Sequence, residues 1–241
     1  HIIIAGLATP NPKDSVVAEL KNVDIAYILN LVNFHAVEFS GKASGKAYIA
    51  SAFNKPSASA RLQIDDFRFE DGRMGTLYAD SRWNEKEGQI DIDAIAKDTV
   101  LNRMGERYVP LETSIQGYVS PRKNNIELNI KANGTRIEFL KSFCGSFIDR
   151  VDAFADGNVQ VAGPLDKINL TGELIANGSL HLSALNTSYT LKHAKVRAIP
   201  NEIRFLNDTI YDRDGHQGIL SGALYHQHLT KMSYDINVDA R

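Results

Sequence analysis

Apolar residues follow two rhythms along this chain, and the changeover between them occurs twice at the same offset. From Asp24 to about Phe34 the apolar positions Ile25, Ile28, Leu29 and Val32 recur with a period near 3.6, and Ala26, Tyr27 and Leu31 widen that stripe. This predicts a largely buried helix, with Asn22 or Asp24 able to cap it. From Ser40 onward the period is two, as in Ala47 and Ile49, Leu62 and Ile64, then Phe67 and Phe69, with Arg61, Gln63, Asp65 and Arg68 opposed to them. Such alternation predicts strands with one wet face. Moving on by 112 positions, Ile25 meets Ile137, Ile28 meets Leu140, Gly45 meets Gly157 and Ile49 meets Val161. A second helix is therefore expected over about 136–148, carrying Ile137, Leu140, Cys144 and Ile148 on one side and opened by a capping box, Thr135-Arg136-Ile137-Glu138. In each copy a polar turn with glycine leads into the strands.

The copies continue beyond the changeover. DTVLNRMG at Asp98–Gly105 returns as DTIYDRDG at Asp208–Gly215, and IELNIKA at Ile126–Ala132 returns as YDINVDA at Tyr234–Ala240. Gly6 and Pro10 fall where Gly117 and Pro121 fall one unit later. The chain thus reads as the end of a preceding repeat at 1–15, unit one at 16–127 and unit two at 128–241, one continuous body cut from a longer array. Within it, Leu77–Trp83 and Gln89–Ala96 form a hairpin pattern around Asn84–Gly88, and Thr113–Val119 and Asn125–Lys131 form another around Pro121–Asn124. Further strands are expected at Ser15–Leu20, Asn158–Ala162, Ile168–Leu174, Ser179–Leu182, Ser188–Leu191, Lys195–Ala198, Glu202–Phe205, Ile219–Tyr225 and Met232–Ala240, with turns at Gly163-Pro164, Asn177-Gly178 and Asp214-Gly215. Connections this short make sequential antiparallel pairing the default. If the array continues past Ala240, the last strand has lost a neighbour and presents an edge that invites strand addition.

Composition narrows the functional classes. Hydrophobic residues are 43% and charged ones 23%, which suits a folded chain and excludes a disordered tail. Net charge is −2 with both signs interspersed, so nucleic acid is not an expected partner. No apolar run approaches the roughly 20 residues of a membrane span. One cysteine, Cys144, sits on the apolar side of the second helix and reads as a buried small hydrophobe. Five Asn-x-Ser/Thr sequons, at Asn133, Asn169, Asn177, Asn186 and Asn207, matter only in a eukaryotic secretory setting.

No catalytic constellation appears: the chain has no phosphate loop, nucleophile elbow, HExxH, CxxC or EF-hand loop. His226 and His228 share a strand pattern and with His181 offer three imidazoles, but no carboxylate or cysteine supports them, and no metal or other cofactor is expected. Asp208, Asp212 and Asp214 cluster near a turn. Their first-unit counterparts are Asp98, Asn102 and Met104, so turn formation explains them better than calcium.

What repeats is apolar alternation, and a long sheet with one oily face must cover it with another sheet, with helices, or with something that is not protein. Two short helices cannot cover so many strands. The fold expected is a mainly β, elongated antiparallel repeat forming an open apolar trough with two short helices, the alternative being a closed β-sandwich. The trough lining is read as Ile49, Leu62, Ile64, Ile90, Ile92, Leu128, Ile130, Val159, Val161, Leu170, Leu180, Leu182, Ile236 and Val238.

The succession GNVQVAGPLDKINLTGELIANGSLHL, followed by Tyr189 and by IRFLNDTIYDRDG, resembles the C-terminal region of the TamB family, translocation and assembly module subunits of the bacterial envelope within the wider AsmA-like group. The recurring family pattern stands here as Gly157, Val159, Val161, Gly163, Pro164, Leu165, Leu170, Gly172 and Gly178, and the first unit keeps Gly45, Ile49 and Pro56 with Ala52 near the second glycine position. The resemblance spans roughly Val16 to Arg241. It implies a β-taco, a sheet folded lengthwise around an apolar groove, in a periplasmic protein anchored in the inner membrane. It further implies a role in outer-membrane protein assembly or inter-membrane phospholipid transport, with acyl chains or nascent outer-membrane β-strands as cargo and an Omp85-type barrel as partner. The competing reading is a structural or adhesive β-repeat protein of the envelope with a closed core.

Overall fold

The computed structural model describes residues 1–7, 9, 14–27, 38–50, 57–101, 105, 107–144, 147–183, 186–228 and 230–240. They form a single 14-stranded antiparallel sheet in which every strand pairs with its neighbours in sequence. The strands are β1 (Ile2–Gly6), β2 (Ser15–Asp24), β3 (Phe39–Ala50), β4 (Ser57–Phe69), β5 (Gly72–Asn84), β6 (Gln89–Leu101) and β7 (Tyr108–Ser120). Then come β8 (Asn125–Arg136), β9 (Ile148–Pro164), β10 (Asn169–Leu182), β11 (Thr187–Ile199), β12 (Glu202–Tyr211), β13 (Gln217–Gln227) and β14 (Thr230–Ala240). One α-helix, α1 (Leu140–Cys144), lies between β8 and β9. A helical turn at 25–27 follows β2, where the Asp24 carboxylate accepts the Ala26 amide at 3.0 Å as a cap does. The remainder of the helix expected to Phe34 lies outside the described residues.

The sheet is open, and among the described residues no second sheet packs on it, so the closed sandwich does not form. It is nevertheless coiled. β5 and β8 have two strands between them, which in a flat sheet would hold them about 14 Å apart, yet their Cα atoms come within 8 Å. Phe147, next to β9, meets the Tyr234 ring of β14 at 4.9 Å between centroids.

Glycine kinks at Gly45 and Gly157 assist the coiling. Both lie inside strands with φ of +145° and +139°. A Cβ on Gly45 would lie 2.1 Å from the Arg61 carbonyl oxygen, and one on Gly157 would lie 2.3 Å from that of Glu173. The two pairs are 112 positions apart, and both strands bend in the same way. Replacing Gly157 by alanine combines backbone strain with a clash against main chain that cannot rotate aside. A loss of at least about 2 kcal/mol is expected in urea unfolding.

The second helix differs most from expectation. Thr135 and Arg136 extend β8 rather than opening a helix: the Thr135 hydroxyl meets that of Thr113 across the sheet at 2.6 Å, and Arg136 reaches Asp98 on β6. Long-range pairing has taken both residues from the capping box. Among the described residues of this stretch, 140–144 are helical, and Ile148 already begins β9. Their apolar stripe is still buried, for Ile137, Cys144 and Ile148 join the core under β9–β14. Burial pushes the Cys144 thiol up to about 11, in keeping with an inert hydrophobe. Two expected strand pairs merge as well. Asn177-Gly178 is a bulge inside β10 and not a turn, with the Asn177 side chain accepting the His193 amide at 2.9 Å, and residues 188–198 belong to one strand.

Candidate functional site

Antiparallel partners share a face, so the register assigns every side chain. All fourteen expected lining residues fall on one face: Ile49 in β3, Leu62 and Ile64 in β4, Ile90 and Ile92 in β6, Leu128 and Ile130 in β8, Val159 and Val161 in β9. Leu170, Leu180 and Leu182 in β10 and Ile236 and Val238 in β14 join them. The opposite face is polar, with cross-strand neighbours such as Lys46, Arg61, Asp80 and Asp93 in one row.

Burial along the apolar face differs from row to row and from strand to strand. Strand ends alternate, so the ends at 24 and 39, 69 and 72, 101 and 108, 136 and 148, 182 and 187, and 211 and 217 lie along one rim, the helix rim, and the strand ends at the alternate connections lie along the opposite rim. In the row nearest the helix rim, Ala43, Ile64, Leu77, Ala96, Thr113 and Ala132 are all buried. Two rows on, Ala47, Ala60, Ser81, Ile92, Leu128, Val161 and Leu170 are all half-buried, and in the row beyond them Ile49 of β3 is 46% exposed whereas Ile126 of β8 is buried. Leu62, Ile90, Leu128, Ile130, Val159, Val161 and Leu170 belong to neither apolar core. They form a band of aliphatic side chains along the sheet over which, among the described residues, no second layer packs.

The helix rim is closed by parts that alternation does not reveal. Phe39 stacks on Phe67 at 5.7 Å, and Phe69 meets Phe139 of the α1 connection at 5.0 Å. On the same apolar face, between the core of β3–β6 and that of β9–β14, lies a polar cluster. Asp98 of β6 accepts two bonds from Arg73 of β5, at 3.0 and 3.1 Å, and one from Arg136 of β8 at 3.2 Å. Its side chain is 7% exposed. Burial, the largest influence, pushes its pKa up, but the Thr99 amide and the two guanidinium groups outweigh it and hold the carboxyl below the usual range. The cluster gathers where β5 and β8 approach, so it staples the coil of the sheet.

Coiling also hollows the chain elsewhere. A concavity of about 1120 Å³ spans β3–β6, and most of its lining side chains, among them Lys46, Tyr48, Arg61 and Asp80, belong to the polar face. Arg61 and Asp80 pair there at 2.7 Å. Exposed pairs of this kind belong to a solvated surface.

The structure does not assemble the three histidines. His181 on β10 meets Asp149, His226 ends β13 on the apolar face, and His228 lies in the following turn with φ of +51°. Asp208 is not a turn residue. It is buried in β12, its carboxylate accepting the Lys195 amide at 2.6 Å and the Leu206 amide at 3.1 Å across a bulge. Asp212 does close the turn, accepting the Asp214 and His216 amides at 2.9 Å each. Among the described residues, Asp212, Asp214 and His216 are the one set of three potential ligands with atoms within 4.8 Å, and they are largely exposed.

Comparison with protein-family models, with curated proteins and with solved structures returned no match.

Proposed function

We propose that this protein is a non-enzymatic trough for apolar cargo. The observation that carries the reading is the aliphatic band from Ile49 to Leu170, which no second layer covers among the described residues and which backs onto a row of polar side chains, Lys46, Arg61, Asp80, Asp93, Gln116, Asn129 and Gln160. Each methylene laid on such a surface gains about 0.8 kcal/mol, so an acyl chain is held without any headgroup site. A β-strand with one oily side is the other cargo that fits, since its alternation matches that of the sheet. The resemblance to the TamB family supports a setting in the bacterial periplasm, within an inner-membrane-anchored protein that works with an Omp85-type barrel on outer-membrane proteins or phospholipids. The runner-up, a structural or adhesive repeat, requires a closed core, and the open sheet disfavours it.

A photo-reactive benzophenone at Val161 should cross-link to phospholipid or to an apolar peptide when the chain is isolated from envelope extracts. The same group at Gln160, one residue away on the polar face, should not. The mass of the adduct separates lipid from protein cargo. Equal labelling at both positions, or none at Val161, would sink the trough. Val161→Asp should lower occupancy at least tenfold in native mass spectrometry, because the carboxylate must be desolvated by each passing chain.

A further inference from the structure

The polar face of β3–β6 is hollow as well as wet. A twisted sheet is a saddle, so each of its faces is concave along one diagonal. The concavity here, about 1120 Å³, exceeds the roughly 300–1,000 Å³ of a small-molecule site. It suits a short chain of units better than one small ring.

Its lining is balanced in charge and paired in function. Lys46, Arg61 and Arg82 supply three positive charges, and Asp80, Asp91 and Asp93 supply three negative ones. Donors also stand beside acceptors. Arg61 donates to Asp80 at 2.7 Å, Gln63 to Asp65 at 2.9 Å, and Gln116 of β7 to Asp93 at 3.2 Å. Such a couple offers an N–H and a carboxylate oxygen side by side, which two neighbouring hydroxyls can engage together, one accepting while the other donates. Tyr48 of β3 and Tyr78 of β5 flank the Arg61 couple, 42% and 44% exposed, and neither belongs to an apolar core. Their partners on β4, Ser59 and Gln63, lie either side of Arg61. Two strands and four residues therefore separate the tyrosines, about 17 Å between Cα atoms.

The second unit supplies the contrast. Glu173 and Arg197 stand where Arg61 and Asp80 stand, with the charges exchanged, and pair at 2.7 Å. Gln160 and Lys195 stand in place of Tyr48 and Tyr78. The ion pair follows the repeat, whereas the tyrosines do not.

We propose that the hollow of β3–β6 binds a neutral oligosaccharide, its sugars stacked on Tyr48 and Tyr78 and its hydroxyls bonded to Arg61 and Asp80. A tyrosine ring offers the C–H face of a sugar a flat apolar surface at little entropic cost. Charge balance disfavours nucleic acid, whose binding needs a surplus of cations. Polypeptide fits less well too. All four strands are paired on both sides and leave no main-chain edge to extend, and the apolar residues along the hollow, Leu62 and Ile92, face the other side of the sheet. The inference stands apart from the trough reading, which concerns the opposite face.

An array of neutral and acidic glycans, followed by titration calorimetry with the strongest neutral binder, tests the site. Binding should be confined to neutral glycans of three sugars or more and should survive 0.5 M salt. Tyr48→Ala with Tyr78→Ala should raise Kd at least tenfold without moving the urea midpoint. Asp80→Asn, which keeps the shape of the couple, should raise it at least threefold, and Glu173→Ala with Arg197→Ala should leave it unchanged. The proposal falls if no glycan binds, if only acidic ones do, or if the tyrosine and Asp80 variants bind as tightly as the unmodified protein. Binding of denatured casein that the tyrosine variant loses would assign the hollow to polypeptide and overturn it as well. Cross-linking at Val161 reports on the other face, so failure of one reading is distinguishable from failure of the other.

Discussion

Leu170→Asp should leave the protein folded, with a loss of about 1 kcal/mol, whereas Ile210→Asp should abolish soluble expression. Both residues are aliphatic, lie in alternating strands and face the same side of the sheet. They differ in what lies over them. Ile210 is 1% exposed, packed in the core that joins α1 with β9–β14. A carboxylate there meets no cation or water and costs several kcal/mol, comparable with the 5–15 kcal/mol that holds a whole domain together. Leu170 is half-buried, partnered by Val161 on one side, while the pairing of β10 with β11 begins only at Gly172. An aspartate at 170 can turn its charge to water and forfeits only part of a leucine's apolar burial. Urea unfolding of the two variants gives the comparison. Insoluble Leu170→Asp protein would mean that the band is covered after all.

The difference between those two residues is not written in their local sequence. Period-two alternation marks both as inward, because side chains on a strand must take opposite faces in turn, and short turns make sequential pairing nearly the sole option. Face and neighbour are therefore legible, and the fourteen residues read as lining do share one face. Cover is a long-range property. It depends on where α1 and Phe139 come to rest, four strands from Phe69, and nothing near Phe69 announces that contact. The same limit misplaced the second helix: Thr135 and Glu138 have the spacing of a capping box, but Thr113 and Asp98, far off in sequence, offered Thr135 and Arg136 better partners. Gly45 and Gly157 are visible as a repeated pair, yet their role inside strands follows from the carbonyls of Arg61 and Glu173 on the neighbouring strands.

Asp98→Ala should destabilise the protein by about 3–5 kcal/mol at neutral pH, the usual result of removing one partner from a buried ion cluster. Arg136 carries most of the penalty, keeping only the longer 3.6 Å contact with Glu138. Its side chain is 16% exposed and its guanidinium lies 5.2 Å from the centre of the Phe154 ring, so it cannot retreat into water when the carboxylate is gone. Arg73, 55% exposed, can. Asp98→Asn keeps the shape and one acceptor oxygen and should cost about half as much. The pH dependence follows from the direction of the shift. Because the folded-state pKa of Asp98 lies below its unfolded value, the carboxylate contributes its full stabilisation above about pH 4 and loses it as pH falls through the folded value. The acid limb of the stability curve should accordingly be steeper in the unmodified protein than in Asp98→Ala, with the two converging at the lowest pH. Urea midpoints between pH 2 and pH 7 measure this. A constant gap across that range would show that the staple holds the coil by shape, whereas convergence shows that its charge draws β5 and β8 together.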